Sequence, residues 1–357
     1  MLIVSSLFAF DRSEASLQLA HFLPFFWIWA NLVIHLQKTQ TFFQEIGRWS
    51  LALVFSGFPI SLFGIAECII KHRYEVFPPS ITPMIDWLYT GDLWHPRTYS
   101  IFDYPNTLAN YLVMILGLNI GLLFLNRETE FFSRSRRSFK IFLSINALLV
   151  LVCLHCSGSR NGYLVAAVLF GISLMRLRTH RWGRLLGIAG LVSIIATTLT
   201  FGIGGRTLTW SWITDDPRVG VWSLALRFIR ERPLLGYGLG NYKLLYNGEI
   251  PDYDFIAHAH NLWLMLLSET GIPVTLTFTA AIGVICYRAV RALRQLRDRP
   301  NDQAILVAYC LAFLGSVLFS LLDVTIFEVR VNLLGWLSLA VMYCSLELSQ
   351  QKARGLD

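Results

Sequence analysis

Long apolar blocks separated by short polar interruptions run through most of the chain. They fall at about 17–36, 49–68, 106–125, 141–157, 161–176, 185–203, 262–287, 303–322 and 331–348. Each approaches the roughly 20 residues that a helix needs to cross the hydrocarbon of a bilayer. Lipid offers backbone N–H and C=O groups no partner, so a spanning segment must satisfy them internally, as a helix does. The pattern predicts an all-α, polytopic transmembrane protein of about nine to eleven spans. It forms a single integral membrane domain over residues 1–357. Residues 1–10 (MLIVSSLFAF) are too short to span and read as an interfacial segment or the end of a further span. Neither a basic leader nor a small-residue cleavage site precedes Asp11, which argues against a signal peptide.

Composition narrows the class. Charged residues make up 15% and hydrophobic ones 55%, whereas a soluble domain carries about 25% charged residues. The net charge of +7 does not imply nucleic acid, because the cations sit in short clusters between apolar blocks. Arg127, Arg134, Arg136, Arg137 and Lys140 form one cluster, and Arg176, Arg178, Arg181 and Arg184 a second. Arg288, Arg291, Arg294, Arg297 and Arg299 form a third. With the spans above, all three fall on one side, together with Lys38, Arg48 and the tail. The positive-inside rule makes that side cytoplasmic. The opposite side receives the long segments 69–105 and 204–261, the latter read as an extracytoplasmic functional loop bearing short helices. Six cysteines are scattered. Cys153-Leu-His-Cys156 makes a CxxC, but no second ligand pair or thioredoxin-like context accompanies it.

The remaining polar positions are the candidates for chemistry, since holding ionisable groups at membrane depth costs free energy. Ser157-Gly-Ser159-Arg160-Asn161-Gly162 links two apolar blocks, and Arg160 falls on the side that the basic clusters avoid. A guanidinium suits phosphate oxygens and keeps its charge; a snorkelling arginine is the plainer reading. Asp103-Tyr-Pro105-Asn106 opens a span, where Asn106 lines a polar cavity or caps the helix. The stretch from about Val219 to Arg232 places Trp222, Leu226 and Ile229 on one apolar face of a surface helix. Gly236-Tyr-Gly238-Leu-Gly240 lacks the context of a dinucleotide loop and reads better as a tight turn. Asp252-Tyr-Asp254 reads as a solvated loop. His258-Ala-His260-Asn261 opens the next span, either as a cap or as a catalytic imidazole. Two histidines would leave zinc short of its third and fourth ligands. On a helix, residues two apart point about 200° apart, so only one of the pair would face a shared cavity.

The segments FDYPNTLANYL (102–112), SGSRNG (157–162), RVGVWSLALRFIRERPLLGYGLGNY (218–242) and HAHNLWLMLLSETG (258–271) together resemble the O-antigen ligase and polymerase superfamily of bacterial inner membranes. That resemblance implies a metal-independent glycosyltransferase without a cofactor, acting at the periplasmic face in lipopolysaccharide or other surface polysaccharide assembly. Its donor would be an undecaprenyl-diphosphate-linked glycan. Its acceptor would be lipid A–core or another glycan, with protein glycosylation in some relatives. It implies catalytic roles for Arg160, Arg218 and His260, and substrate contacts for Asn106, Ser159, Asn261, Gly236 and Gly238. A transporter or transport accessory of the bicarbonate type is the rival class. Transport favours broken helices and coupled carboxylates near the midplane, and acids within the spans are few: Glu67, Glu269 and Asp323.

Overall fold

The structure is a computed structural model describing residues 2–73, 97–125, 136–176, 188, 192, 196, 218–250 and 254–353. The described residues form helices joined by turns. A short α1 (Leu2–Leu7) precedes α2 (Arg12–Lys38), α3 (Phe42–Arg73), α4 (Pro105–Leu123), α5 (Arg136–Cys156) and α6 (Arg160–Arg176). Next come α7 (Arg218–Glu231), α8 (Leu262–Gln295), α9 (Pro300–Phe319) and α10 (Val329–Ala353). Seven of these are long and apolar enough to cross a membrane, and α6 is a shorter apolar helix. Each coincides with one of the apolar blocks. Of the block at 185–203, only Ile188, Val192 and Ala196 are described, all helical. The basic segment around His180 and the residues 251–253 lie outside the described residues.

The helices sort by what they bury. In α4, 89% of the most apolar stretch is buried, against 17% in α2, 28% in α3 and 33% in α5. Lipid tails are as apolar as leucine, so spanning helices associate through close backbone approach and specific hydrogen bonds. The seam between α4 and α9 shows the first device. Gly117 and Gly121, four residues apart, face Ala312 and Ala308, also four apart. A Cβ at Gly117 would lie 2.5 Å from the Ala312 nitrogen, and one at Gly121 would lie 2.2 Å from Ala308 Cα. At the helix ends carrying the basic residues, Gln37 on α2 and Arg288 on α8 both reach Glu347 on α10, at 3.0 and 2.7 Å. These ends therefore gather on one side of the bundle, as the sequence pattern expects.

A break in α8 shapes the opposite end. Gly271 has φ 80° and ψ 172°, a conformation that an L side chain rarely adopts, and a Cβ there would lie 2.2 Å from the Leu234 carbonyl oxygen. The PLLGYGLG loop wraps this break. Ile272 N–H donates to Pro233 O at 2.8 Å, Tyr237 N–H to Ser268 O at 2.9 Å, and Gly238 N–H to Glu269 O at 2.7 Å. Gly236, with φ 65°, would place a Cβ 2.4 Å from the Glu269 carbonyl carbon. The first residues close the same knot. Ser5 Oγ donates to Leu235 O at 2.6 Å, Phe10 N–H to Tyr237 O at 2.8 Å, and Asp11 N–H to Asn241 Oδ1 at 2.7 Å. The segment before Asp11 is thus a packed strap over the loop, and the glycines at 236 and 238 answer to backbone crowding.

Candidate functional site

The starts of α4, α6 and α8 meet the link between α9 and α10. Three side-chain amides pin them there. Asn261 caps α8, accepting the Leu264 N–H at 3.0 Å while donating to Leu321 O at 2.9 Å. Asn161 on α6 donates to Phe319 O at 2.7 Å. Asn106 on α4 donates to the carboxylate of Asp323. The α9–α10 link is therefore held from three sides, and Asp323 lies at its centre, only 3% exposed.

Asp323 joins these elements electrostatically. One of its oxygens, Oδ1, accepts from its neighbour's Val324 N–H at 2.8 Å and lies 3.1 Å from His260 Nδ1. The His258 Nε2 stands 3.9 Å from the same oxygen. Burial alone would push this carboxyl up, but the hydrogen bond and positive charge of His260, then the charge of His258 and the Val324 N–H, hold it below the ordinary aspartate value. An ionised carboxylate only accepts hydrogen bonds. The Nδ1 of His260 must then donate, and whenever the ring is neutral Nε2 keeps its lone pair. The His260 side chain is 34% exposed.

The segment 254–260 is not helical, which overturns the expectation that the two imidazoles diverge. His260 takes φ 47°, an uncommon left-handed conformation for a side chain of this size. The turn brings the two rings to 4.4 Å between centroids, nearly perpendicular at 77°. Both therefore face Asp323. Burial, then the charge of His260, lowers His258 to about 4. His258, His260 and Asp323 also supply the third metal-ligating group that the sequence did not reveal. The tautomers work against that use. His258 Nδ1 accepts the His260 N–H at 3.4 Å, so its proton sits on Nε2, directed at Asp323 in place of a lone pair.

The two arginines each open a helix. Arg160 opens α6, immediately before Asn161, and is half-buried. Arg218 opens α7, and that helix buries Val221, Leu224, Ala225 and Phe228 in one cluster with Ile256, Ala259, Leu262 and Val324. The face of Trp222, Leu226 and Ile229, read as the apolar side of a surface helix, is turned away from this cluster, with Leu226 45% exposed. The helix carries a second apolar stripe at i, i+3, i+4 and i+7, and that stripe meets the histidine segment. Sequence reasoning missed two residues. Asp323 passed as one of few span acids, although it stands at the break between two apolar blocks. Arg97 was hidden in the long 69–105 segment, on the side that the basic clusters avoid, where the argument used for Arg160 applies equally. Its Nη2 donates to Asn106 Oδ1 at 2.6 Å and its Nε to Ser157 O at 2.8 Å.

Other expected site residues also have partners within the fold. Ser159 accepts the Gly162 N–H at 3.3 Å as the cap of α6, and Gly236 and Gly238 belong to the knot around Gly271. Of Asp252-Tyr-Asp254 only the exposed Asp254 is described. Beneath the histidine segment, a partly open apolar pocket lies between α2, α8, α9 and α10, with Leu262, Trp263, Ser320 and Trp336 in its wall.

Residues 145–279 match the family described as O-Antigen ligase. The match covers less than half of the chain. The match spans Arg160, Arg218 and both histidines, while Arg97, Asn106 and Asp323 lie outside it and reach it through the fold. It indicates an enzyme of the O-antigen ligase or polymerase type, working in surface polysaccharide assembly. Among curated proteins, none matches the chain.

Proposed function

We propose that the protein transfers a glycan from an undecaprenyl-diphosphate carrier to an acceptor hydroxyl at the periplasmic face of the bacterial inner membrane, as an O-antigen ligase or polymerase. The observation that carries this reading is the His260–Asp323 couple, a partly exposed imidazole beside a buried carboxylate. In the reaction, His260 Nε2 takes the acceptor's hydroxyl proton as the oxygen attacks the anomeric carbon. The bond from that carbon to the diphosphate oxygen breaks, and the carrier diphosphate departs. Asp323 stabilises the imidazolium formed. Arg160 and Arg218 neutralise charge developing on the leaving diphosphate, where such stabilisation acts most strongly. The apolar cavity beside Leu262 and Ser320 suits the prenyl chain of the donor, and lipid A–core or a second glycan is the acceptor class. The arrangement asks for no metal.

The transport reading draws less support from the acids. Glu67 is taken by Lys71 at 2.8 Å, and Glu269 accepts the Tyr242 N–H at 3.1 Å, so both serve the fold. The test is glycan transfer in detergent from purified lipid-linked donor, with donor binding measured separately. His260→Ala should lose about 10²–10⁴-fold in rate. Arg160→Ala and Arg218→Ala should abolish transfer and weaken donor binding, with Lys rescuing only partly. Wild-type rates in Arg160→Ala and His260→Ala would overturn the proposal.

A further inference from the structure

The CxxC of α5 finds a partner that the sequence did not show. The outer ends of α3 and α5 clasp the segment 97–100 between them. From α3, the Glu67 carboxylate accepts the Ser100 N–H at 2.6 Å, and Lys71 Nζ donates to Arg97 O at 2.8 Å. From α5, the Cys156 carbonyl accepts the Thr98 N–H at 3.1 Å. The two helices run side by side in parallel register, Asn146 against Val54 and the Cys153 sulfur against Gly64, and one turn further along each helix the same register sets Cys68 beside Cys156. His72, one turn further along α3, places Nδ1 3.8 Å from Cys68 Sγ. Both thiols are partly exposed, whereas Cys153 is fully buried with its sulfur directed at Gly64.

We propose that Cys68 and Cys156 are a disulfide site, which ties α3 to α5 beneath Arg97. The pairing is selective for geometric reasons. Residues three apart on a helix hold their Cβ atoms about 5–6 Å apart, beyond the roughly 3.5–4.5 Å that a disulfide spans. Cys153 therefore cannot close on Cys156 while α5 stays helical. Oxidation proceeds by exchange with an external disulfide. The Cys68 thiolate attacks it and releases one thiol. Cys156 then attacks the mixed disulfide and releases the second, so two cysteine protons and two electrons leave with the reduced oxidant. Disulfides persist outside the cytoplasm, so the native bond rests on the periplasmic orientation proposed above. The bond would hold the backbone of residues 97–100 in place, and with it the guanidinium that orients Asn106 toward Asp323.

Mass spectrometry of the full-length protein tests this independently of glycan transfer. The purified protein is oxidised with excess oxidised glutathione, alkylated and digested without reduction. The expected product is a Cys68 peptide joined to a Cys156 peptide, two hydrogens lighter than the free pair and separated by dithiothreitol. Cys153→Ser should keep the linkage and Cys156→Ser should lose it. Cells quenched in acid and alkylated directly should show the same joined peptide. Two alkylatable thiols after oxidation, or a Cys153–Cys156 product, would overturn the site. A bond that forms in detergent but is absent from cells would overturn it as a native modification.

Discussion

The seam between α4 and α9 and the cluster around Asp323 lie at the two ends of one design problem. The seam is built from Gly117, Gly121, Ala308 and Ala312, where backbones approach closely and dispersion replaces a hydrophobic driving force that lipid cannot supply. The cluster uses amides, imidazoles and one carboxylate, each directional and each fixed by a partner from a different helix. The first region tolerates no added volume but has no chemistry. The second has little apolar contact of its own and depends on the bundle to bring its parts together. Stability and activity should therefore separate by mutation.

After His260 and the two arginines, the largest loss that leaves the fold intact is expected at Asp323. Asp323→Asn keeps the volume but presents an amide, so His260 is no longer held as the Nδ1–H tautomer beside a negative charge. Transfer should fall about 10²-fold, with the midpoint of thermal unfolding in detergent near that of the parent. An unchanged rate would remove Asp323 from the mechanism. Gly121→Leu should do the reverse. Overpacking typically costs about 1–3 kcal/mol, and here the added atoms meet backbone, so the upper part of that range applies. Scanning calorimetry or fluorescence should show a clearly lower midpoint, while the surviving folded fraction transfers glycan normally. A normal midpoint would mean that the two helices separate more easily than the seam suggests.

His258 joins the two behaviours. Its folded value, about 4, lies below the roughly 6.5 of a free imidazole. The unfolded chain then binds more protons between these values, so the contribution is complete above pH 6.5 and declines as pH falls toward 4. The two values differ by enough to give about 3 kcal/mol in that window. His258→Asn should reduce the acid loss of thermal stability and keep most of the activity at neutral pH; an unaltered pH profile of stability would contradict the assignment. The smallest effect is expected from a chelator. Extensive dialysis against EDTA should leave transfer unchanged, and a loss restored by zinc would reassign His258, His260 and Asp323 as metal ligands.

The helices were legible because lipid imposes one rule on every span: enough consecutive apolar residues, with the backbone satisfied internally. That rule recovered the ends of α4 and α6 closely, and the alternation of basic segments anticipated which helix ends gather together. Arg160, Arg218 and His260 stood out because charge and imidazole are rare in such surroundings. Asp323 and Arg97 did not, since nothing local distinguishes a structural acid or cation from a working one. The docking face of α7 was not legible for a similar reason: two apolar stripes share that helix, and only its neighbours choose between them.

What the sequence determined alone was therefore everything set by periodicity and by the cost of charge in lipid: an all-α membrane protein, its spans and its polar breaks. Tertiary structure decided which breaks meet. It brought Asn106, His260 and Asp323 together from positions scattered over more than half the chain. It turned the histidine segment out of helix at His260, and set α3 and α5 in the register that carries Cys68 and Cys156. Such contacts are fixed by helix packing and by single hydrogen bonds between distant residues, and neither leaves a trace in local pattern.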